Sequence, residues 1–191
     1  MNYASEELIN EHMVILYGIK ILEKMALLLK NHEKVETDDF RSMVDFLKLF
    51  AEKCHHGKEE GLFFPALEEA GVKNKNGPIG QMLLEHAQGR KYVALMAESL
   101  ADHSIKEHDL IIAATDYVDL LRAHINKENK GLFPLADAKI PADKQTELLT
   151  LFEEFEEKVM GPGIHEKLHK LLHQYDEKYL KSDLQNGSVV L

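Results

Sequence analysis

A short segment occurs twice in this chain, 69 residues apart, and it constrains the fold more than any other feature. His55-His56-Gly57-Lys58-Glu59 leads into Leu62-Phe63-Phe64-Pro65, and His124-Ile125-Asn126-Lys127-Glu128 leads into Gly131-Leu132-Phe133-Pro134. At one constant offset His55 matches His124, Lys58 matches Lys127, Glu59 matches Glu128, Phe64 matches Phe133 and Pro65 matches Pro134. A His and a Glu four positions apart share one helix face, one turn apart. Two such helices facing each other bring two imidazoles and two carboxylates into a common interior, which is how helical bundles hold a pair of metal ions.

The rest of the chain supplies helices to build such a bundle, and nothing reads as strand. A first helix is predicted from about Ser5 to Lys30, with Leu8, His12, Ile15, Ile19, Leu22, Ala26 and Leu29 on one stripe. A second begins near Thr37, a good N-cap, and carries Phe40, Val44, Leu47, Ala51, His55, Glu59 and Leu62 before stopping between Pro65 and Gly71. Pro78 suits the first turn of a third helix, whose stripe is Ile79, Met82, His86, Val93, Ala97 and Leu100. After a polar turn over His103 to His108, a fourth helix carries Leu110, Ala114, Tyr117, Leu121, His124, Glu128 and Leu135. The fold class expected is all-α, an up-down-up-down four-helix bundle. Two further segments, Thr146 to Val159 and Ile164 to Lys181, form a C-terminal helical extension on the outside or one end of the bundle, and residues 182–191 read as a frayed tail.

Composition narrows the function classes. With 191 residues, 45% of them hydrophobic, the chain is long enough for a sizeable core and reads as one domain. A formal net charge of −10 argues against nucleic acid or an anionic membrane as partner. No run of 18 or more apolar residues predicts a membrane span, and residues 1–7 lack the features of a signal peptide, so a cytoplasmic setting is expected. Cys54 is the only cysteine, which leaves no intramolecular disulfide and no thiolate metal site.

Each of the four bundle helices carries one histidine on its apolar stripe: His12, His55, His86 and His124. Burying these imidazoles with Glu59 and Glu128 is costly without a partner, and a cation is the simplest one. Nitrogen and carboxylate ligands suit iron, manganese or zinc, and carboxylates able to bridge favour a dinuclear centre. His56 competes with His55 for the inward position. Counting about 100° per residue from Leu47 places His55 at the edge of the apolar stripe and His56 opposite. The repeat also selects His55 and Glu59, so His56 and Glu60 are assigned to a solvated face.

These residues resemble the hemerythrin family, in particular the hemerythrin-like HHE cation-binding domains. The resemblance spans roughly residues 5–137 and rests on Glu11-His12, His55 with Glu59 and the following Leu62-Phe63-Phe64-Pro65, Leu84-Glu85-His86 with Arg90, and His124 with Glu128 and Leu132-Phe133-Pro134. It implies a non-haem diiron centre with an oxo or hydroxo bridge. His12 and His55 would serve one iron, His86 and His124 the other, and Glu59 and Glu128 would bridge them, with zinc or manganese as substitutes. The partner implied is dioxygen or another small diatomic or peroxide ligand. Oxygen-carrying members have a second histidine one turn after the third-helix histidine, and Arg90 stands there. That leaves the His86/His124 ion one nitrogen short and argues against simple oxygen carriage.

Three functions compete: binding or sensing dioxygen or related oxidants, or handling iron; a diiron enzyme reducing peroxide or nitric oxide, including stress-response iron-centre repair; and a structural cation-binding interaction module. Repair ranks lower, because the chain shows no Cys-bearing N-terminal domain. No catalytic residue is assigned. His165, His169 and His173 fall on one edge of the last helix, where Leu168, Leu172, Tyr175 and Tyr179 are expected to pack. His32, His103 and His108 are read as exposed turn residues, Tyr17 and Tyr117 as packing residues, and Cys54 as a small buried apolar one.

Overall fold

The computed structural model describes residues 3–101 and 105–181, and every regular element among them is helical. Helix α1 is Ala4–Lys30. Helix α2, residues 37–69, is continuous but changes winding: a π segment, Leu47–His55, and a π turn, Glu59–Phe63, interrupt its α-helical stretches. Helix α3 is Pro78–Ser99. Helix α4, residues 107–139, contains one π turn at Glu128–Leu132. Helix α5 is Ala142–Met160, and α6, residues 164–180, ends in a π turn at Asp176–Leu180.

Local chemistry explains most boundaries. Glu6 accepts the Tyr3 backbone N–H at 3.2 Å and ties down the start of α1. Pro78 sits in the first turn of α3, where its missing N–H costs nothing. Helix α2 starts one residue earlier than its capping signal implied: Glu36 is the N-cap, without a side-chain cap bond, and Thr37 is already helical. Helix α5 begins at Ala142 rather than Thr146, because Pro141 is extended and the helix winds up directly after it. His108 lies in the exposed first turn of α4 rather than in a loop. His103 and residues 182–191 lie outside the described residues.

The π turns at Glu59 and Glu128 are repeated features. Phe64 N–H bonds to Glu59 O, and Phe133 N–H bonds to Glu128 O, each reaching back five residues. Pro65 and Pro134 follow immediately. A helix about to lose a backbone donor at proline gives up little more by widening there.

Packing divides the interior into three layers. One apolar core holds Ile15, Ile19 and Leu22 of α1, Phe46, Leu47 and Phe50 of α2, Val93 and Met96 of α3, and Tyr117 and Leu121 of α4. The other holds Leu8, Phe63, Phe64, Leu67, Ile79, Met82, Phe133 and Phe152. Between them, at His12, His55, Glu59, His86, His124 and Glu128, the four bundle helices present polar side chains that are at most 1% exposed. Helix α5 packs on α1 and α2 and contributes Phe152 to the second core, whereas Leu172, Tyr175 and Tyr179 of α6 extend the first. Among the described residues no helix is long and apolar enough to cross a membrane.

Candidate metal centre

The polar layer is built from two copies of one arrangement. In the α1/α2 pair, His55 Nδ1–H donates to Glu11 Oε2 at 2.8 Å, while the other oxygen of Glu11 accepts from Lys58. In the α3/α4 pair, His124 Nδ1–H donates to Glu85 Oε2 at 3.0 Å, while the other oxygen of Glu85 accepts from Lys127. The remaining histidines are held across the pairs. His12 Nδ1 bonds to Asn129 Oδ1 at 2.7 Å and His86 Nδ1 to Glu60 Oε1 at 2.8 Å. Glu60 and Asn129 are themselves counterparts at the 69-residue offset, so the layer has an approximate two-fold symmetry.

His56 breaks that symmetry and corrects the sequence expectation. It is 1% exposed, donates from Nδ1 to Glu52 Oε2 at 3.0 Å, and joins Glu59, His86 and His124 in a group whose ligand atoms lie within 4.8 Å of one another. The reason is the π segment. His56 N–H reaches back five residues to Ala51 O, so each residue of Leu47–His55 turns through less than the α-helical angle and both His55 and His56 come inward. Glu60 is half-buried rather than free in solvent: its carboxylate accepts from His86 Nδ1 at 2.8 Å and from Arg90 Nη2 at 2.7 Å. The repeat held a signal for His56: its counterpart is Ile125, an apolar residue and also buried.

Arg90 points outward and is 43% exposed. It binds Glu60 and lies 3.8 Å from Glu52 Oε2, so it braces the carboxylates behind His86 and His56. Tyr117, expected only to pack, also donates its hydroxyl to Glu52 at 3.1 Å. The third histidine of this group thus comes from α2, as His56, and not from the α3 position that Arg90 holds.

A second group, His12, His55, Glu59 and Glu128, lies beside the first and shares Glu59 with it. Glu59 sends Oε1 toward His55 Nε2, at 3.6 Å, and Oε2 toward His86 Nε2, at 3.4 Å. Glu128 Oε2 stands 3.1 Å from His124 Nε2 and 3.3 Å from His12 Nε2. Both carboxylates therefore lie between the two sets of imidazoles.

The chemistry fits a cation. Every Nδ1 is engaged by an oxygen, which fixes the tautomer of a neutral ring and directs five Nε2 atoms at the interior. His12, His55 and His56 Nε2 and all four oxygens of Glu59 and Glu128 are buried without a hydrogen-bond partner of acceptable geometry. Orphaned groups on this scale are expensive in an apolar surround unless a metal satisfies them. The electrostatics carry the same mark. Burial alone would lower the His124 imidazole, but Glu128 and Glu85 pull it up to about 10. Burial, with His86, His55 and His124 close by, drives the His56 imidazole well below its usual range. Burial opposes ionisation of Glu128, yet His124 and His12 outweigh it and hold the carboxyl low.

A third trio, Glu11, Cys54 and Glu156, also has ligand-type spacing. There the cation is already supplied by Lys58, whose ammonium bonds to both glutamates. Burial pushes the Cys54 thiol up to about 12, so it stays protonated. His169 and His173 are exposed on α6, and His165 pairs with Glu156 at 2.6 Å.

An all-α bundle with two adjoining imidazole–carboxylate groups in its interior defines a cation-binding helical protein. The family model of the hemerythrin HHE cation-binding domain matches residues 4–136, about two thirds of the chain, and the chain belongs to that family. No curated protein and no solved structure matched it.

Proposed function

We propose that the protein is a non-haem diiron protein that binds or senses dioxygen or a related small oxidant. His12 and His55 would serve one ion and His56, His86 and His124 the other, with Glu59 and Glu128 shared. The observation that carries this reading is Glu59, whose two unpartnered oxygens face one imidazole of each set. A carboxylate between two nitrogen groups is what a dinuclear site requires.

Iron so held supplies one-electron redox chemistry and an affinity for small oxidants. With both carboxylates shared, the His56 side offers three nitrogens and the His12 side two. An exogenous ligand would therefore be expected on the His12/His55 side. The chain's own contribution there is rigidity and dryness. His12 stacks on Phe133, with centroids 5.3 Å apart, and Phe63 and Phe152 close the same wall.

Mixing the anaerobically reduced, iron-loaded protein with oxygen in a stopped-flow spectrometer tests the proposal. An absorbing species that decays under vacuum supports binding, and repeated consumption of oxidant with a reductant present moves the assignment to an enzyme. Absence of any spectral response to oxygen or peroxide overturns the oxidant reading.

A further inference from the structure

The two-fold symmetry of the polar layer fails at the lysines. Lys58 and Lys127 are counterparts, and each grips the glutamate that orients a histidine one turn earlier on its own helix. Yet the side chain of Lys58 is 0% exposed and that of Lys127 is 44% exposed. Helix α5 causes the difference. Glu156 on α5 accepts from Lys58 Nζ at 3.0 Å, Phe152 places its ring 5.6 Å from the same ammonium, and Glu7 of α1 stands 3.6 Å away. At Gly57 the approach is so close that a Cβ would meet the Phe155 ring at 2.8 Å. Its counterpart on the other half, Asn126, is exposed, and among the described residues no helix covers it.

Helix α5 begins after residue 136, where the family match ends. The connection inward is continuous: Glu156 to Lys58, Lys58 to Glu11, Glu11 to His55. A buried ammonium needs its carboxylates in place, and a carboxylate behind a ligating imidazole sets its orientation and the strength with which it holds a metal.

We propose that Glu156 is a positioning residue for the two-histidine half of the metal centre: by clamping Lys58 onto Glu11 it fixes the His55 ring and slows release of the ion held there. This rests on the two-ion reading of the site. It makes α5 a device specific to this half, with no equivalent on the His124 side among the described residues. The two ions then differ in lability because one supporting chain is anchored by a third element and the other ends in solvent.

Cobalt(II) serves as the probe, since its d–d absorption reports coordination without turnover. The loaded full-length protein is mixed with excess EDTA and both the spectrum and the released metal are followed. Wild type should lose its ions in two phases. Glu156→Gln should accelerate one phase on the order of 10-fold, leave the other unchanged, and alter the d–d band of the affected ion. Lys58→Gln should accelerate the same phase and Lys127→Gln the other, while Glu154→Gln, exposed on the same helix, should change neither. Should Glu156→Gln not fold, Glu156→Asp keeps the charge, shortens the reach and carries the same expectation. Release kinetics and spectrum that stay as in wild type, even with a lowered melting temperature, would reduce Glu156 to a packing contact and overturn the proposal. So would acceleration of the phase that responds to Lys127. Wild type that binds fewer than two ions defeats the two-ion reading itself, a different failure read before any variant is compared.

Discussion

The ring of His56 lies face to face with that of His86, centroids 3.8 Å apart and planes 15° from parallel, in a layer where both are almost fully buried. Two imidazoles from different helices are thereby presented as one surface to His124, whose Nε2 is 3.1 Å from that of His86.

Replacing His56 by Ala should lower the iron content of the loaded protein from about two ions per chain toward about one. His55→Ala should also lose an ion, but from the other set. Elemental analysis checks the stoichiometry, and a His56→Ala protein that keeps its full complement would return His56 to a merely buried residue.

Arg90 should matter less than any ligand. It acts by holding Glu60 and Glu52, so Arg90→Ala should weaken metal binding by about 10-fold at most, without changing stoichiometry. Competition against a chelator of known affinity measures this directly.

Removing the metal should destabilise the protein without unfolding it. The orphaned nitrogens and oxygens of the polar layer lose their partner, but the two apolar cores remain. Thermal melts with and without chelator should both be cooperative, with the loaded form melting higher at saturating metal. An apo protein without helical circular dichroism would contradict this.

Gly18 is a packing requirement. A Cβ there would fall 2.4 Å from the buried ring of Phe46. Alanine would gain roughly 0.5–1 kcal/mol in helix propensity, but overpacking a core site costs about 1–3 kcal/mol. Gly18→Ala should therefore lower stability in urea titration, and a stabilised variant would show that α1 and α2 can move apart freely.

The end of α6 is tied to α2 through Asp39, which accepts from Lys178 and Tyr179. Partial burial would raise the Asp39 carboxyl, but these donors outweigh it and hold it below its ordinary value of 3.8. A depressed carboxyl stabilises the folded form above its unfolded pKa, and that contribution fades as pH falls through the lower folded value. Hydrogen exchange over Tyr175–Leu180 should thus be unchanged from pH 7 to pH 5 once corrected for intrinsic rates, and should lose protection below pH 4. Asp39→Asn should show the looser α6 already at pH 7, and equal protection in variant and wild type would discount the tie.

Much of this architecture was legible because helix stripes and a repeated His-x-x-x-Glu are local signals. The four stripe histidines, Glu59 and Glu128 all occur in the polar layer. His56 was misassigned because a fixed angular step per residue assumes uniform α winding, and Leu47–His55 is wound more widely. The paired glutamates had a visible trace, since Glu11-His12 and Glu85-His86 recur in the same order. What could not be read was their reach across to His55 and His124, because hydrogen bonds between helices depend on axial register. Glu156 left no trace at all: it is one of six acidic residues on its helix, and only docking against Gly57 singles out one carboxylate.

The division of the interior into two apolar cores with a polar layer between them has a consequence for how such a chain can change over generations. Leu8, Phe63 and Phe133 on one side and Ile15, Leu47 and Leu121 on the other hold the helices together without help from the histidines. A substitution in the middle layer can therefore cost the protein its metal without costing it the bundle, because the walls keep their spacing. Loss of chemistry and loss of fold are separated along the length of the helices.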